Sequence, residues 1–448
     1  MNYNNHPKMK HIYVGIDCHK QTHTAAVINP FNEKLDVITF NNTPQDFEKL
    51  LETVNKYVEG DITPVYGLED IKHLGHALAT FLLNKNCKVY HVYSSLTYIE
   101  RKKFPIISKT DEIDSLCIAK VTLDNLGDLP VARNEEIYWT LKQIVKMKSS
   151  LIVDNIKAKN KLHAQLLHHY PNYKEFFYHF DCISALALWE QFPSPNLLKK
   201  LSIEELHAFL HQYSKGRLKR DRAEKIYSLV NENVYDEIDY QEERNLLIVM
   251  LVKQIKNNTS QIEEIEKSML CLYEKLDLKL HTMNCLTKMT SAEIVAEIGN
   301  INRFPNSDKL ARYAGIAPIS FSSGSHDKNI RNQFGNRRLN SRVFNLAIRS
   351  IAAGKDRDKP NNAIFIEYYH RKIAEGKNKQ QALTCVMRRL INIIYRMLKN
   401  NTEFYMPKEL EEKCKNIYLE KLEQEKEEEE KLKQKQKNTK DSAIIKNL

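Results

Sequence analysis

Four carboxylates are the residues best placed to do chemistry. Asp17 closes the apolar run HIYVGID where its alternation stops, and Glu69 closes a second run, TPVYGLE. Asp111 and Asp114 lie three residues apart in KTDEIDS, a spacing that puts both on one face of a helix. Thr110 supplies a capping hydroxyl, and acids in a first helical turn are favoured by the helix dipole. Singly, each has an ordinary reading as a turn or capping residue. Gathered together, the four would repel one another unless cations sat among them, and hard oxygen ligands suit Mg²⁺ or Mn²⁺. Such a site can polarise a phosphodiester with one or two metals about 4 Å apart.

A second candidate is FSSGSH, residues 321–326. A serine hydroxyl is a poor nucleophile unless a base, a metal or preorganised charge activates it. The local base here is His326, and a Ser-Gly stretch is ordinarily a turn. On its residues alone the segment reads either way, as a polar turn or as the seat of a nucleophile.

The rest of the chain bounds what these residues could serve. Its 448 residues predict two or three domains, and 42% hydrophobic content is enough to build their cores. Mean hydropathy is −0.53, and no apolar run approaches the roughly 20 residues of a spanning helix, so no membrane partner is expected. The start, MNYNNHPKMKH, has no apolar stretch of the kind a secretory signal needs. Eight cysteines are scattered without a C-x-x-C pair, which argues for a reducing compartment and against a zinc site or disulfide framework. The net charge of +11, from 68 basic and 57 acidic residues, favours a polyanionic partner that releases counterions on binding. Twelve glycines and 13 prolines predict mostly regular structure.

The elements that would position the acids follow from periodicity. HIYVGID alternates Ile12, Val14 and Ile16 on one face; TAAVINP and LDVITF continue as strands. Thr43-Pro44-Gln45-Asp46 starts a helix that runs to about Tyr57. TPVYGLE is a strand, HLGHALATFLLNKN a helix and CKVYHVY a strand. Three adjacent strands followed by helix–strand–helix–strand is the element order of an RNase H-like α/β domain, a fold in which all four acids would converge. Residues 135–168 turn helical. Leu251, Ile255, Asn258, Ile262, Ile265, Met269, Leu272 and Leu276 then form a heptad seam with one polar position. That seam reads equally as a coiled coil with another chain or as a long helix packed within its own. Residues 171–235 between them form a helical insert, residues 281–400 a helical and basic region, and the Glu/Lys-rich tail a frayed helix or disorder.

YVGIDCHKQTHTAAVINP, GLED, KTDEIDSLCIAK and, far downstream, RFPNSDKLARYAGIAPISFSSGS together resemble the DEDD transposases of the insertion-sequence-110 family. With the heptad seam giving a coiled-coil region over 131–280 around the insert 171–235, the resemblance implies an N-terminal RuvC-like domain over 1–130. It further implies a mainly α transposase domain over 281–405 and a charged tail over 406–448. It makes Asp17, Glu69, Asp111 and Asp114 the metal-binding catalytic tetrad. It maps the nucleophilic serine to Ser323, with Ser322 as the neighbouring alternative. Arg331, Arg337, Arg338 and Arg342 then read as phosphate contacts, with a solvated basic helix face as the ordinary alternative. The implied activity is cutting and rejoining of donor and target DNA through a phosphoserine link. The implied partners are a structured noncoding guide RNA and further copies of the chain, as dimer or tetramer, in a bacterial cytoplasm beside the nucleoid. Three departures stand out, the first being a longer middle whose insert 171–235 has no counterpart in the family. NCLT occupies 284–287 where the family commonly reads P-G-I-G, and EDIKHLG follows the strand where it usually reads E-A-[TS]-G.

Three other readings compete. An RNase H-like nuclease or junction resolvase would use the tetrad with water and leave the serine idle. A non-catalytic nucleic-acid scaffold would need only charge and coiled coil. A sugar-kinase-like ATPase would need later glycine-rich loops, for which twelve glycines leave no room.

Overall fold

The computed structural model describes residues 6–69, 74–103, 110–132, 136–232, 239–323, 326–330, 332, 335–353, 360–420 and 422–424; for 319–323 and 326–330 this means the backbone alone. The chain divides into two compact units, Met1–Glu136 and Ile137–Leu448.

The first unit is a five-stranded mixed sheet with helices on both faces. In chain order it comprises β1 (His11–Cys18), β2 (Thr22–Ile28), β3 (Lys34–Asn41), α1 (Pro44–Asn55), β4 (Thr63–Glu69), α2 (His76–Asn84), β5 (Lys88–His91), α3 (Ser94–Arg101) and α4 (Asp111–Asn125). The strand order is β3-β2-β1-β4-β5, with β1 central. β2 and β3 join it antiparallel, β4 and β5 parallel. The order of strands and helices predicted from periodicity is the order found.

Because side chains alternate along a strand, each face of β1 has its own partner. Ile12, Val14 and Ile16 share a buried cluster with Phe47, Leu50 and Val54 of α1 and Leu78 and Leu82 of α2. Tyr13 faces the other way and packs with Val65 of β4 and Ala119 and Leu123 of α4. Asp17 and Glu69 have the parity of Tyr13 and Val65, so they end on the face that α4 covers.

The second unit is built on two long helices, α5 (Glu136–His169) and α10 (Gln241–Lys275). They run antiparallel: Lys148 Nζ lies 2.7 Å from Glu266 Oε1, and Asn155 Nδ2 lies 3.4 Å from Thr259 Oγ1. Each end of the pair carries a core. At one end Ala158, Leu162 and Leu166 meet Ile248, Val252 and Ile255, together with the insert helices α6 (Ile183–Gln191), α7 (Pro195–Leu198), α8 (Ile203–Tyr213) and α9 (Arg220–Glu232). Trp189 centres that core and donates its indole N–H to the Phe180 carbonyl at 2.9 Å.

At the other end Leu141 and Val145 meet Met269 and Tyr273 and the helices α11 (Lys288–Ile298), α12 (Ser307–Tyr313), α13 (Arg337–Ile351), α14 (Ala363–Ala374) and α15 (Lys379–Asn400). The heptad positions Ile255, Asn258 and Met269 are buried, Ile255 in the core that holds Leu162 and Leu166 of α5 and Met269 in the core that holds Leu141 and Val145, and Leu251, Ile262, Ile265 and Leu272 are half-covered. Residues 408–420 are helical with Cys414 buried, and the tail from 425 lies outside the described residues.

One element departs from the helical reading of 281–400. Ile319–Ser323 (β6) and His326–Ile330 (β7) form a two-stranded antiparallel ribbon. ISFSS alternates only at Ile319 and Phe321 and HDKNI is polar up to Ile330, too short a pattern to mark a strand.

Candidate metal centre and serine ribbon

The carboxylates meet at one end of the sheet because two glycines let a helix approach closely. Gly15 of β1 and Gly67 of β4 are partners across the parallel pair, and each precedes its acid by two residues. A methyl group on Gly15 would lie 2.1 Å from the backbone nitrogen of Ala119 and 2.3 Å from the Ser115 carbonyl oxygen. One on Gly67 would lie 1.9 Å from Thr122 Oγ1. The side chain of α4 nearest Gly15 is itself a small one, Ala119. The start of α4 is thereby set beside the carboxyl ends of β1 and β4, where Asp17 and Glu69 are register partners. Thr110 caps this helix, accepting from the Ile113 N–H at 3.2 Å, which places Asp111 at its first position.

The four acids occupy unlike settings. Asp17 is mostly covered, its side chain 15% exposed. Burial pushes its carboxyl above the ordinary range; His19 opposes that shift, and the charges of Asp114, Asp111 and Glu69 add to it. Asp111 is open to solvent. Asp114 is buried and has a cation beside it, Arg101 Nε at 2.5 Å from Oδ1, in an ion contact not aligned as a hydrogen bond.

His19 was not among the residues singled out by sequence. Two residues beyond Asp17, its Nε2 lies 3.1 Å from Asp17 Oδ2 and 3.3 Å from Asp111 Oδ1. One ligand atom each from Asp17, His19 and Asp111 fall within 4.8 Å of one another, close enough to hold a metal ion. Two carboxylates and an imidazole are a donor set that a transition ion such as Mn²⁺ accepts, the carboxylates alone would suit Mg²⁺, and an added cation would relieve the repulsion that raises Asp17. The residues present fit a divalent metal. The signal that could have found His19 is its spacing, since residues two apart on extended chain share a side.

In the second unit, Ser323 is the last residue of β6 and pairs across the ribbon with His326, while Ser322 pairs with Asp327. Gly324 and Arg331 lie outside the described residues. Arg337 opens α13 and is exposed. Arg338 Nη1 lies 4.0 Å from Glu297 Oε1, and Arg342 Nη1 lies 3.0 Å from Glu293 Oε2. Two of the arginines expected on phosphate are therefore set beside buried carboxylates of α11. Glu293 and Glu297 were missed by sequence because an acid on a short helix normally reads as solvated.

Comparison with known proteins agrees with both ends of the chain. A model of DEDD transposases of the IS110 type, described as a transposase, matches residues 14–171. A second, the transposase IS116/IS110/IS902 family, matches residues 278–369. These are the segments that hold the acid cluster and the serine ribbon, and they define a protein of the DNA transposase and recombinase class. The chain belongs to the IS110-type family of insertion-sequence transposases. It is 23% identical over 404 residues to the uncharacterized 44.8 kDa protein of insertion element IS116 from Streptomyces clavuligerus, covering 88% of this chain and 96% of the relative. It is 23% identical over 407 residues to the 43.6 kDa protein of insertion element IS110 from Streptomyces coelicolor, covering 88% and 95%. A shorter stretch of 127 residues is 28% identical to the pilin gene-inverting protein of Moraxella bovis, 28% of this chain and 37% of that one. Among the described residues no helix is long and apolar enough to cross a membrane.

Proposed function

We propose that this protein cuts and rejoins DNA as the recombinase of an insertion sequence, through a covalent phosphoserine link at Ser323. The observation that carries the reading is that Asp17, Glu69, Asp111 and Asp114 lie near one another at one end of a five-stranded sheet ordered β3-β2-β1-β4-β5 with β1 central, which supports an RNase H-like, RuvC-like domain. The family match at residues 278–369 supports the serine half of the site.

Asp17, Glu69, Asp111 and Asp114, with His19, would hold one or two Mg²⁺ or Mn²⁺ ions. A bound divalent ion supplies charge neutralisation at the phosphodiester as negative charge builds on its oxygens. Ser323 Oγ attacks phosphorus, its proton is lost, the bond to the 3′ oxygen breaks, and that oxygen takes up a proton. Rejoining is the reverse, with a 3′ hydroxyl from the other strand displacing Ser323. Arg331, Arg337, Arg338 and Arg342 bind backbone phosphates. A structured guide RNA chooses the donor and target sequences, leaving the protein to read shape and backbone. Copies of the chain assemble as a dimer or tetramer, and the protein works in the cytoplasm at the nucleoid.

The test is a covalent protein–DNA adduct on denaturing gels, formed with donor and target duplexes, guide RNA and Mg²⁺. Wild type should form it, while Ser323→Ala and Asp17→Asn should not. An adduct lost in Ser322→Ala but kept in Ser323→Ala would move the nucleophile by one residue. One other reading has an observation in its favour: the acid cluster lies wholly within the first unit, as a nuclease using water would need. Strand cutting undiminished in both serine variants would establish that reading instead.

A further inference from the structure

The serine ribbon leaves the helical unit and returns to it through a neck in which the two backbones touch. The chain enters by way of Gly315 and departs by way of Gly335, both with positive φ, +67° and +135°. A methyl group on Gly335 would lie 2.7 Å from the Gly315 nitrogen and 2.9 Å from the Tyr313 carbonyl oxygen. Only glycine permits that crossing.

Asn336 spans the neck with its backbone N–H and its side-chain Nδ2. Its backbone N–H donates to the Tyr313 carbonyl at 2.7 Å. Nδ2 donates to Glu297 Oε2 at 2.7 Å and to the Tyr313 hydroxyl at 3.1 Å. Oδ1 accepts from the Leu339 N–H at 3.0 Å and so caps α13. The Tyr313 hydroxyl in turn donates to the Glu297 carbonyl at 3.1 Å, and Asn340 Nδ2 donates to the Ala314 carbonyl at 2.9 Å. Glu297 is 3% exposed, on a helix packed into the core through Ile294, Val295 and Ile298. A carboxylate is costly to bury, and this one holds the crossing of the neck to the packed helices.

We propose that Glu297, Asn336 and Tyr313 are positioning residues: a clamp that fixes how the β6–β7 ribbon, and with it Ser323, stands on the helical unit. A two-stranded ribbon is marginal by itself, so its orientation has to come from the neck. The functional consequence rests on the reading of Ser323 as nucleophile; the clamp itself does not. A nucleophile displaced by about 1 Å loses on the order of 10²-fold in rate.

Asn336→Asp tests this in the full chain. Aspartate keeps the cap on Leu339 but sets two carboxylates together where Nδ2 met Glu297. The double variant Glu297→Gln with Asn336→Asp restores the hydrogen bond with donor and acceptor exchanged. The single variant should lower the rate of adduct formation by about 10²-fold, leave affinity for DNA in place, lower the melting temperature, and speed hydrogen exchange of the amides of 319–323 and 326–330. The double variant should return both the rate and the exchange toward wild type. Unchanged adduct formation and exchange in Asn336→Asp would overturn the proposal, as would a double variant no better than the single. Should Asn336→Asp fail to fold, Tyr313→Phe removes one hydroxyl from the clamp; faster exchange in the ribbon supports the proposal and unchanged exchange overturns it. If Ser323→Ala still forms the adduct, the nucleophile reading falls, and ribbon exchange decides the clamp independently.

Discussion

Asp17 carries the sharpest consequence at the scale of one residue. Its carboxyl is raised by burial and by three neighbouring acids, so its contribution to stability has a definite sign. A raised group contributes stability that is present below the ordinary carboxylate range and is lost as pH rises through its shifted value. In metal-free protein near neutral pH, Asp17→Asn should therefore melt at or above wild type, and the difference should shrink as the pH is lowered and the wild-type acid protonates. Added Mn²⁺ should raise the wild-type melting temperature and do little for Asp17→Asn. Calorimetry with and without chelator checks both; a variant that gains as much from Mn²⁺ as wild type would exclude Asp17 as a ligand. Cys117 is a simpler case. It lies inside α4, where burial and the nearby Asp114 push its thiol up to about 11. Since the thiolate is the reactive form, native protein at pH 8 should alkylate at exposed Cys271 and not at Cys117, as peptide mapping would show.

The element that decides the candidate metal centre is α4, and the two glycines beneath it are unequal. At Gly15 the obstacle to a methyl group is helix backbone, which cannot step aside; at Gly67 it is the hydroxyl of Thr122, which can turn. Gly15→Ala should cost at least about 3 kcal/mol and Gly67→Ala about 1–2 kcal/mol, measured by chemical denaturation. Gly15→Ala should also weaken Mn²⁺ binding in titration calorimetry, because displacing α4 carries Asp111 away from Asp17 and His19. Equal costs at the two positions would mean that α4 is not held as closely as the geometry requires.

For the molecule as a whole, the second unit depends on one buried cation. Lys148 of α5 contacts Glu266 of α10 at 2.7 Å and Glu293 of α11 at 3.1 Å, and Arg342 of α13 reaches Glu293 from the other side. Four helices share that network. Lys148→Met should destabilise the unit by about 3–5 kcal/mol, because it strands the buried Glu293 carboxylate with only Arg342. Glu266 is 35% exposed on its side chain, and Glu266→Gln should cost less than about 1 kcal/mol. Thermal melts of the two variants separate a shared buried network from a row of surface pairs.

Much of this was legible in the residues themselves. Alternation in HIYVGID and the apolar run TPVYGLE marked two strands and put Asp17 and Glu69 at strand ends, which the register then sets side by side. Spacing in KTDEIDS put Asp111 and Asp114 in the first turn of α4. These are period-two and period-3.6 regularities, which operate over a few neighbours and are written locally. What depends on distant parts of the chain was not written there. His19 between Asp17 and Asp111, Gly15 opposite Gly67, and Glu297 beneath Asn336 are contacts between elements, fixed by how helices pack rather than by local pattern. The heptad seam of α10 specified a partner without naming it, since an apolar stripe is buried as well by α5 as by another chain; tertiary packing set α5 against it. The ribbon bearing Ser323 left the faintest trace, because its strands are short, with apolar residues only at Ile319, Phe321 and Ile330, and its place is held by the neck.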